Sequence, residues 1–152
     1  MPAPDEVYRE YVRRIHRTMA AYLSVLAWTR NLDCVAITRN EILRFWGIAK
    51  RVEKQRLVWL KNDIKHYFST VKFLYHSEGS TKFGSLFLAR RRFPRSAFAE
   101  SMTDRKRTQL LMEQGIRASV VPLPSEAEML AELSEFSHGL ASFPLPAAKM
   151  PR

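Results

Sequence analysis

At 152 residues, 46% of them hydrophobic, the chain is long enough for one domain with a core of its own, or for one domain with an extension. Its net charge of +10 is uneven: Arg39 to Arg107 holds 17 basic side chains against 6 acidic ones, the segment before it is near neutral and the segment after it is acidic. The longest apolar runs are far short of the roughly 20 residues a membrane helix needs, and a single cysteine, Cys34, excludes an internal disulfide and a multi-cysteine zinc site.

Residues 5–30 read as a long helix. Tyr8, Tyr11, Val12, Ile15, Met19, Tyr22, Leu23 and Leu26 recur at three- and four-residue steps and make one apolar stripe. Arg9, Arg13 and Arg17 make a second stripe, which either follows phosphates or is solvated, with Asp5, Glu6 and Glu10 partly neutralising the first turn. Asn31-Leu32-Asp33 breaks the period. Cys34-Val35-Ala36-Ile37 is a short strand or an extended connection. Thr38, three residues before Glu41, has the spacing of a capping box. A short helix is therefore expected over 39–46, with Gly47 ending it. A further helix is expected over 50–68. Its inner stripe is Leu57, Leu60, Ile64 and Tyr67 or Phe68, and Lys50, Lys54, Lys61 and Lys65 lie opposite.

The period then changes to two. Val71, Phe73 and Tyr75 alternate with Lys72, Leu74 and His76, and a second β-rich run spans Phe83 to Arg90. Two such runs around the short loop Ser77 to Lys82 predict a hairpin. Thr103-Asp104 is a helix start with Gly115 as its end, and Ala118 to Val121 is a strand or an arm. Ser125 and Glu128 form another capping box ahead of Met129, Leu130, Leu133 and Phe136, and His138-Gly139 closes that helix. The helix is acidic and amphipathic, so these four apolar residues are expected to serve assembly. Residues 144–152 contain three prolines and are expected to be a disordered tail.

Three helices followed by a β-hairpin, with the last helix basic on its exposed side, resemble the winged helix-turn-helix family over residues 5–92. The resemblance rests on order and pattern. The helix 39–46, the turn Gly47-Ile48-Ala49 and the helix 50–68 match the helix-turn-helix, and Val71–Arg90 matches the wing. It implies a mainly α fold with a small β-hairpin (α+β), in which residues 93–143 are a C-terminal extension carrying the assembly helix 125–138. It also implies that the helix 50–68 enters a major groove, whose width just admits a helix. Arg51, Lys54 and Gln55 are then the candidates for base contact. Arg grips guanine O6 and N7 together, and Gln pairs with adenine N6 and N7. Arg44, Lys50, Lys61, Lys65, Lys82, Arg90, Arg91 and Arg92 are the candidates for phosphate contact, which positions without specifying.

A basic centre between near-neutral and acidic flanks is the electrostatic footprint of a polyanion binder. The function expected is a sequence-specific or architectural DNA-binding protein, acting as a homodimer or in a larger complex, without a membrane partner, cofactor or metal. Two alternatives stand beside it: a small basic RNA-binding subunit of a ribonucleoprotein, and a phage-type inhibitor or adaptor of another protein. A basic helix with Arg51, Lys54 and Gln55 at its front discriminates between DNA and RNA, because A-form RNA has a deep, narrow major groove that a helix cannot enter. Phe73, Tyr75, Phe83 and Phe87 on an open sheet would stack bases, as in RNA-recognition folds, but Lys82 to Phe87 lacks the RNP1 spacing. Trp28, Trp46 and Trp59 are expected in the core or at an interface.

No catalysis is expected. His16, His66, His76 and His138 are scattered, and no phosphate loop or nucleophile elbow occurs. Asp33, Asp63 and Glu78, with His66 and His76, form a nuclease site only if the fold gathers them. Cys34 in an apolar run is expected to be a buried small hydrophobe. The segment Met1 to Glu6 has neither a basic nor an apolar signal region, so no secretory signal is expected. The expected location is cytoplasmic and nucleoid-associated, or nuclear in a eukaryote, where Arg90-Arg91-Arg92 suits part of a nuclear address.

Overall fold

The computed structural model describes residues 4–47, 54–75, 84–90, 92 and 103–139. Proline at the first helical position and Asp5 and Glu6 in the first turn suit the start of α1 (Pro4–Thr29). Its inward stripe includes Val12, Ile15, Met19, Tyr22 and Leu23. The expected stripe is rotated at its start, since Tyr8 and Tyr11 remain about half exposed. Asn31 takes a left-handed φ of 56° and ends the helix, with the Leu32 N–H donating back to the Ala27 carbonyl at 2.7 Å. The apolar run that follows is a strand, β1 (Cys34–Thr38).

Helix α2 (Arg39–Trp46) has the expected ends. Thr38 Oγ1 accepts the Glu41 N–H at 3.3 Å, and Gly47, at φ 74°, supplies the left-handed residue after the last turn. The capping box is only half closed, because the Glu41 carboxylate is used elsewhere. It accepts the Leu123 N–H at 3.0 Å and the Arg44 guanidinium, while Arg44 donates to the Leu123 carbonyl at 2.9 Å. Helix α3 (Lys54–Ile64) stops short of the expected residue 68. The Tyr67 N–H donates to the Ile64 carbonyl at 2.9 Å, which tightens the chain into a turn and drops Phe68 into the core. The stretch 48–53, with the turn and the start of the expected helix, lies outside the described residues.

The period-two runs form β2 (Thr70–Leu74) and β3 (Ser85–Ala89), paired antiparallel with Val71 opposite Leu88 and Phe73 opposite Leu86. Helix α4 (Asp104–Glu113) is capped by Thr103 and followed by Gly115 at φ 81°. Ala118–Val120 is a strand, β4, and α5 (Glu126–Gly139) starts behind Ser125, whose Oγ accepts the Glu128 N–H. Among the described residues, five helices and a four-stranded sheet thus make an α+β fold.

The sheet order is β2-β3-β1-β4. β3 runs antiparallel to both neighbours, and β4 joins β1 in parallel, with Cys34 level with Ala118. Alternation along the strands sends side chains to two cores. Val35, Ile37, Leu86 and Leu88 meet α1, α2, α3 and α5 on one face. Cys34, Ala36, Phe87 and Ala89 meet Leu111 and Ile116 on the other, under α4. This double cover explains why all five residues of β3 are buried and takes Phe87 out of reach of a stacked base, while Phe73 on the edge strand β2 is half-buried.

Residues of the stretch 121–136 are built into the same core. Val121, Leu123 and Met129 belong to the larger cluster, and Trp28 of α1 meets Phe136 of α5 edge-on at 5.7 Å. Met129 is fully buried and is therefore a core residue rather than an assembly one. Leu133 and Phe136 are half-buried, and Leu130 remains exposed. The expected tail, 144–152, lies outside the described residues.

Candidate nucleic-acid interface

Helix α3 divides cleanly by face. Leu60, Asp63 and Ile64 are buried, whereas Lys54, Gln55, Val58, Lys61 and Asn62, with Lys65 in the turn just after the helix, are exposed. The exposed set recurs at steps of three and four, so it is one continuous ridge along the helix. Within α3 itself the only acid is Asp63, which faces inward. The ridge carries three ammonium groups, two amides and one exposed isopropyl group.

Asp63 fixes the rotation of that ridge. Arg9 of α1 grips its carboxylate in two-point fashion at 2.7 and 3.0 Å, and Arg13 Nε lies 3.8 Å away. His16 Nδ1 donates to the same carboxylate at 2.8 Å, and Trp46 Nε1–H of α2 donates to His16 Nε2 at 3.0 Å. Indole nitrogen only donates, so Nε2 carries the lone pair and the imidazole is neutral with its proton on Nδ1. Burial depresses the His16 pKa to about 4, and the opposing pull of Asp63 does not compensate. Burial alone raises the Asp63 carboxyl, yet hydrogen bonds from Arg9 and His16 hold it below its ordinary range. The chain Trp46–His16–Asp63–Arg9 thus ties α2, α1 and α3 together. Arg9 also lies 4.7 Å from the centre of the Trp59 ring, and Arg56 packs over Trp46 at 5.2 Å while donating to the Tyr8 hydroxyl.

This arrangement is structural rather than catalytic. Trp46 plugs the one imidazole nitrogen able to take a proton, and His16 has no exposed surface. Asp33 is occupied in a separate cluster, accepting the Arg117 backbone N–H at 3.0 Å and its side chain at 3.3 Å. The postulated nuclease carboxylates Asp33 and Asp63 therefore do not converge, and Glu78 and His76 lie outside the described residues. No group of three or more possible metal ligands occurs among the described residues. Burial pushes the Cys34 thiol far up, which leaves it a small hydrophobe.

Of the expected base contacts, Lys54 and Gln55 stand exposed at the start of α3, and Arg51 lies outside the described residues. Of the expected phosphate contacts, Lys61 and Lys65 share the ridge, and Arg92 is exposed. Arg44 is held by Glu41 and the Leu123 carbonyl, so its charge is partly engaged inside the fold. Arg90 is half-buried, which disfavours its charged form. Lys50, Lys82 and Arg91 lie outside the described residues. Arg107 belongs to the basic segment by sequence but is fully buried, bound to Asp104 at 3.3 Å and lying over the Phe87 ring. Asp104 also takes a hydrogen bond from Ser85 of β3, so this pair secures α4 to the hairpin.

Val58 and Asn62 belong to the ridge without having been singled out from sequence. Their signal is spacing: each lies three or four residues from a ridge lysine. The Asp63 tie was missed as well. Its signal is a carboxylate beside Leu60 and Ile64 on the inner stripe, with an imidazole among Val12, Ile15 and Met19 on another. Comparison with protein-family models, with curated proteins and with solved structures found no match.

Proposed function

We propose that the chain is a DNA-binding protein of the winged helix-turn-helix type, in which α3 enters a major groove and the β2–β3 hairpin rests beside it as the wing. The observation that carries this reading is the α3 ridge: basic and amide side chains on the outside, with the helix pinned from within by the Asp63 tie. Pre-set orientation matters because side chains that need no ordering on contact lose less entropy. The strand pairing supports the same reading. Order α1-β1-α2-α3-β2-β3, with β3 between β2 and β1, agrees with a helix-turn-helix followed by a wing. Helix α4 covers the second sheet face, β4 adds to the free edge of β1, and α5 packs against α1 on the first face.

On this reading Lys61 and Lys65 hold phosphates. Gln55 and Asn62 offer amides that pair with adenine N6 and N7, and Val58 offers an apolar surface to a thymine methyl group. Lys54 at the front of the described helix reaches guanine O6 and N7. The test is equilibrium binding of the full chain to mixed-sequence duplex DNA and to a structured RNA hairpin, each titrated with salt. Duplex preference is expected, with log K falling against log salt by about 0.9 for each phosphate contacted. A flat salt response excludes polyanion binding. Preference for the hairpin moves the same ridge to shape-based RNA recognition.

A further inference from the structure

Among the described residues, a second face of α1 is left largely open. Val7, Tyr11, Arg14, Thr18 and Ala21 follow a four-three spacing on the side away from the buried stripe, and they line a groove of about 900 Å³ closed at one end by Leu133 of α5. The same spacing continues to Val25 and Trp28, beside which α5 lies: Leu133 and Phe136 share a cavity wall with Val25, and Phe136 meets the Trp28 ring edge-on. Helix α5 therefore packs on the second half of this seam and leaves the first half open. The open half, Val7 to Ala21, is about 21 Å long at 1.5 Å per residue. Val7 is 56% exposed and Tyr11 49%. Thr18 turns its hydroxyl back to the Arg14 carbonyl at 3.0 Å, so beyond Arg14 the groove is floored by small side chains, Thr18 and Ala21. A four-three seam of this kind is a surface that another helix packs on.

We propose that the occupant is a second copy of this chain, with the two α1 helices antiparallel about a two-fold axis. The charges flanking the groove decide this. Glu6 and Glu10 flank its first turns, and Arg14 and Arg17 follow in the next two. A two-fold axis between them brings the carboxylates of each copy to the guanidinium groups of its partner, and does so twice. A parallel arrangement sets like charge against like. This is the self-complementarity that an isologous interface requires. Arg14 already lies over the Tyr11 ring at 5.2 Å within one chain, and the antiparallel register presents it to the Tyr11 of the partner as well. Arg13 holds Glu10 through Oε2 at 2.7 Å, which leaves Oε1 for the second copy. The interface differs from the α5 surface expected from sequence, and it stands independently of nucleic-acid binding.

The test is the solution mass of the full chain by sedimentation equilibrium at micromolar concentration, without nucleic acid. Twice the chain mass is expected. The variants Glu6→Lys/Glu10→Lys and Arg14→Glu/Arg17→Glu make the seam all-positive and all-negative, so each alone is expected to sediment as a monomer. An equimolar mixture is expected to regain the dimer mass, which also shows that both variants are folded. A monomeric wild-type chain overturns the proposal. So do dimers that persist in either variant alone, or a mixture of two folded variants that stays monomeric.

Discussion

His16 holds a neutral imidazole inside the protein because Trp46 occupies its second nitrogen. Its folded pKa of about 4 lies below the ordinary 6.5. Between those values the unfolded chain binds a proton that the folded chain refuses. Stability is therefore complete above about pH 6.5 and falls as the pH drops toward 4, by a total on the order of 3 kcal/mol. The depressed carboxyl of Asp63 acts in the same direction at lower pH, since protonating it releases Arg9. Thermal unfolding between pH 7 and 4 should show this loss, and His16→Gln should flatten it. Equal slopes for both proteins over that range would remove His16 from the account. Asp63→Ala leaves Arg9 and His16 without their anion, and a loss of about 3–5 kcal/mol in denaturant unfolding is expected. A loss under 1 kcal/mol would show that the tie contributes little. The sequence shows Asp63 and His16 sitting on inner stripes, but not that they meet, because the pairing spans 47 residues and depends on how α1 crosses α3.

At the scale of elements, local chemistry set most boundaries. Thr38, Gly47, Thr103 and Ser125 cap where their side chains or backbone freedom suggest. The end of α3 was less legible: Tyr67 and Phe68 continue its apolar spacing, yet the turn into β2 draws Phe68 into the core. The use of Glu41 to hold Leu123 was equally hidden, since it joins residues 82 apart. Gly47→Ala places a side chain at φ 74° with nothing within 4 Å to clash, so the cost is backbone strain alone, about 1–2 kcal/mol. For the α3 ridge, Lys54→Ala and Gln55→Ala should each relax preference at defined base pairs, costing about 1–3 kcal/mol at the best site. Lys65→Ala should weaken all sequences alike. Sequence selection on the three variants separates these outcomes, and identical behaviour of all three removes the assignment of base contacts to the front of α3.

At the scale of the molecule, the larger of the two cores draws on helices far apart in the sequence. The N-terminal α1 and the C-terminal α5 pack together, and β4 adds to the edge of β1. Composition and charge pointed to a basic centre and an acidic final helix, but not to the burial of Met129, since its helix looked equally suited to an outside partner. Met129→Ala should cost about 2–5 kcal/mol as a core deletion. A near-neutral effect in denaturant unfolding would return this residue to an interface role. Charge reversal tests most directly whether the α3 ridge is the face that meets DNA, as proposed. Duplex affinity is measured at one fixed salt concentration for the wild-type chain, for Lys61→Glu/Lys65→Glu on α3, and for Glu128→Lys/Glu135→Lys on α5. The α3 variant is predicted to lose about a hundredfold in affinity, at roughly 1.5 kcal/mol per charged hydrogen bond removed, while the α5 variant binds as well as wild type or slightly better. Unchanged affinity in the α3 variant would contradict the account.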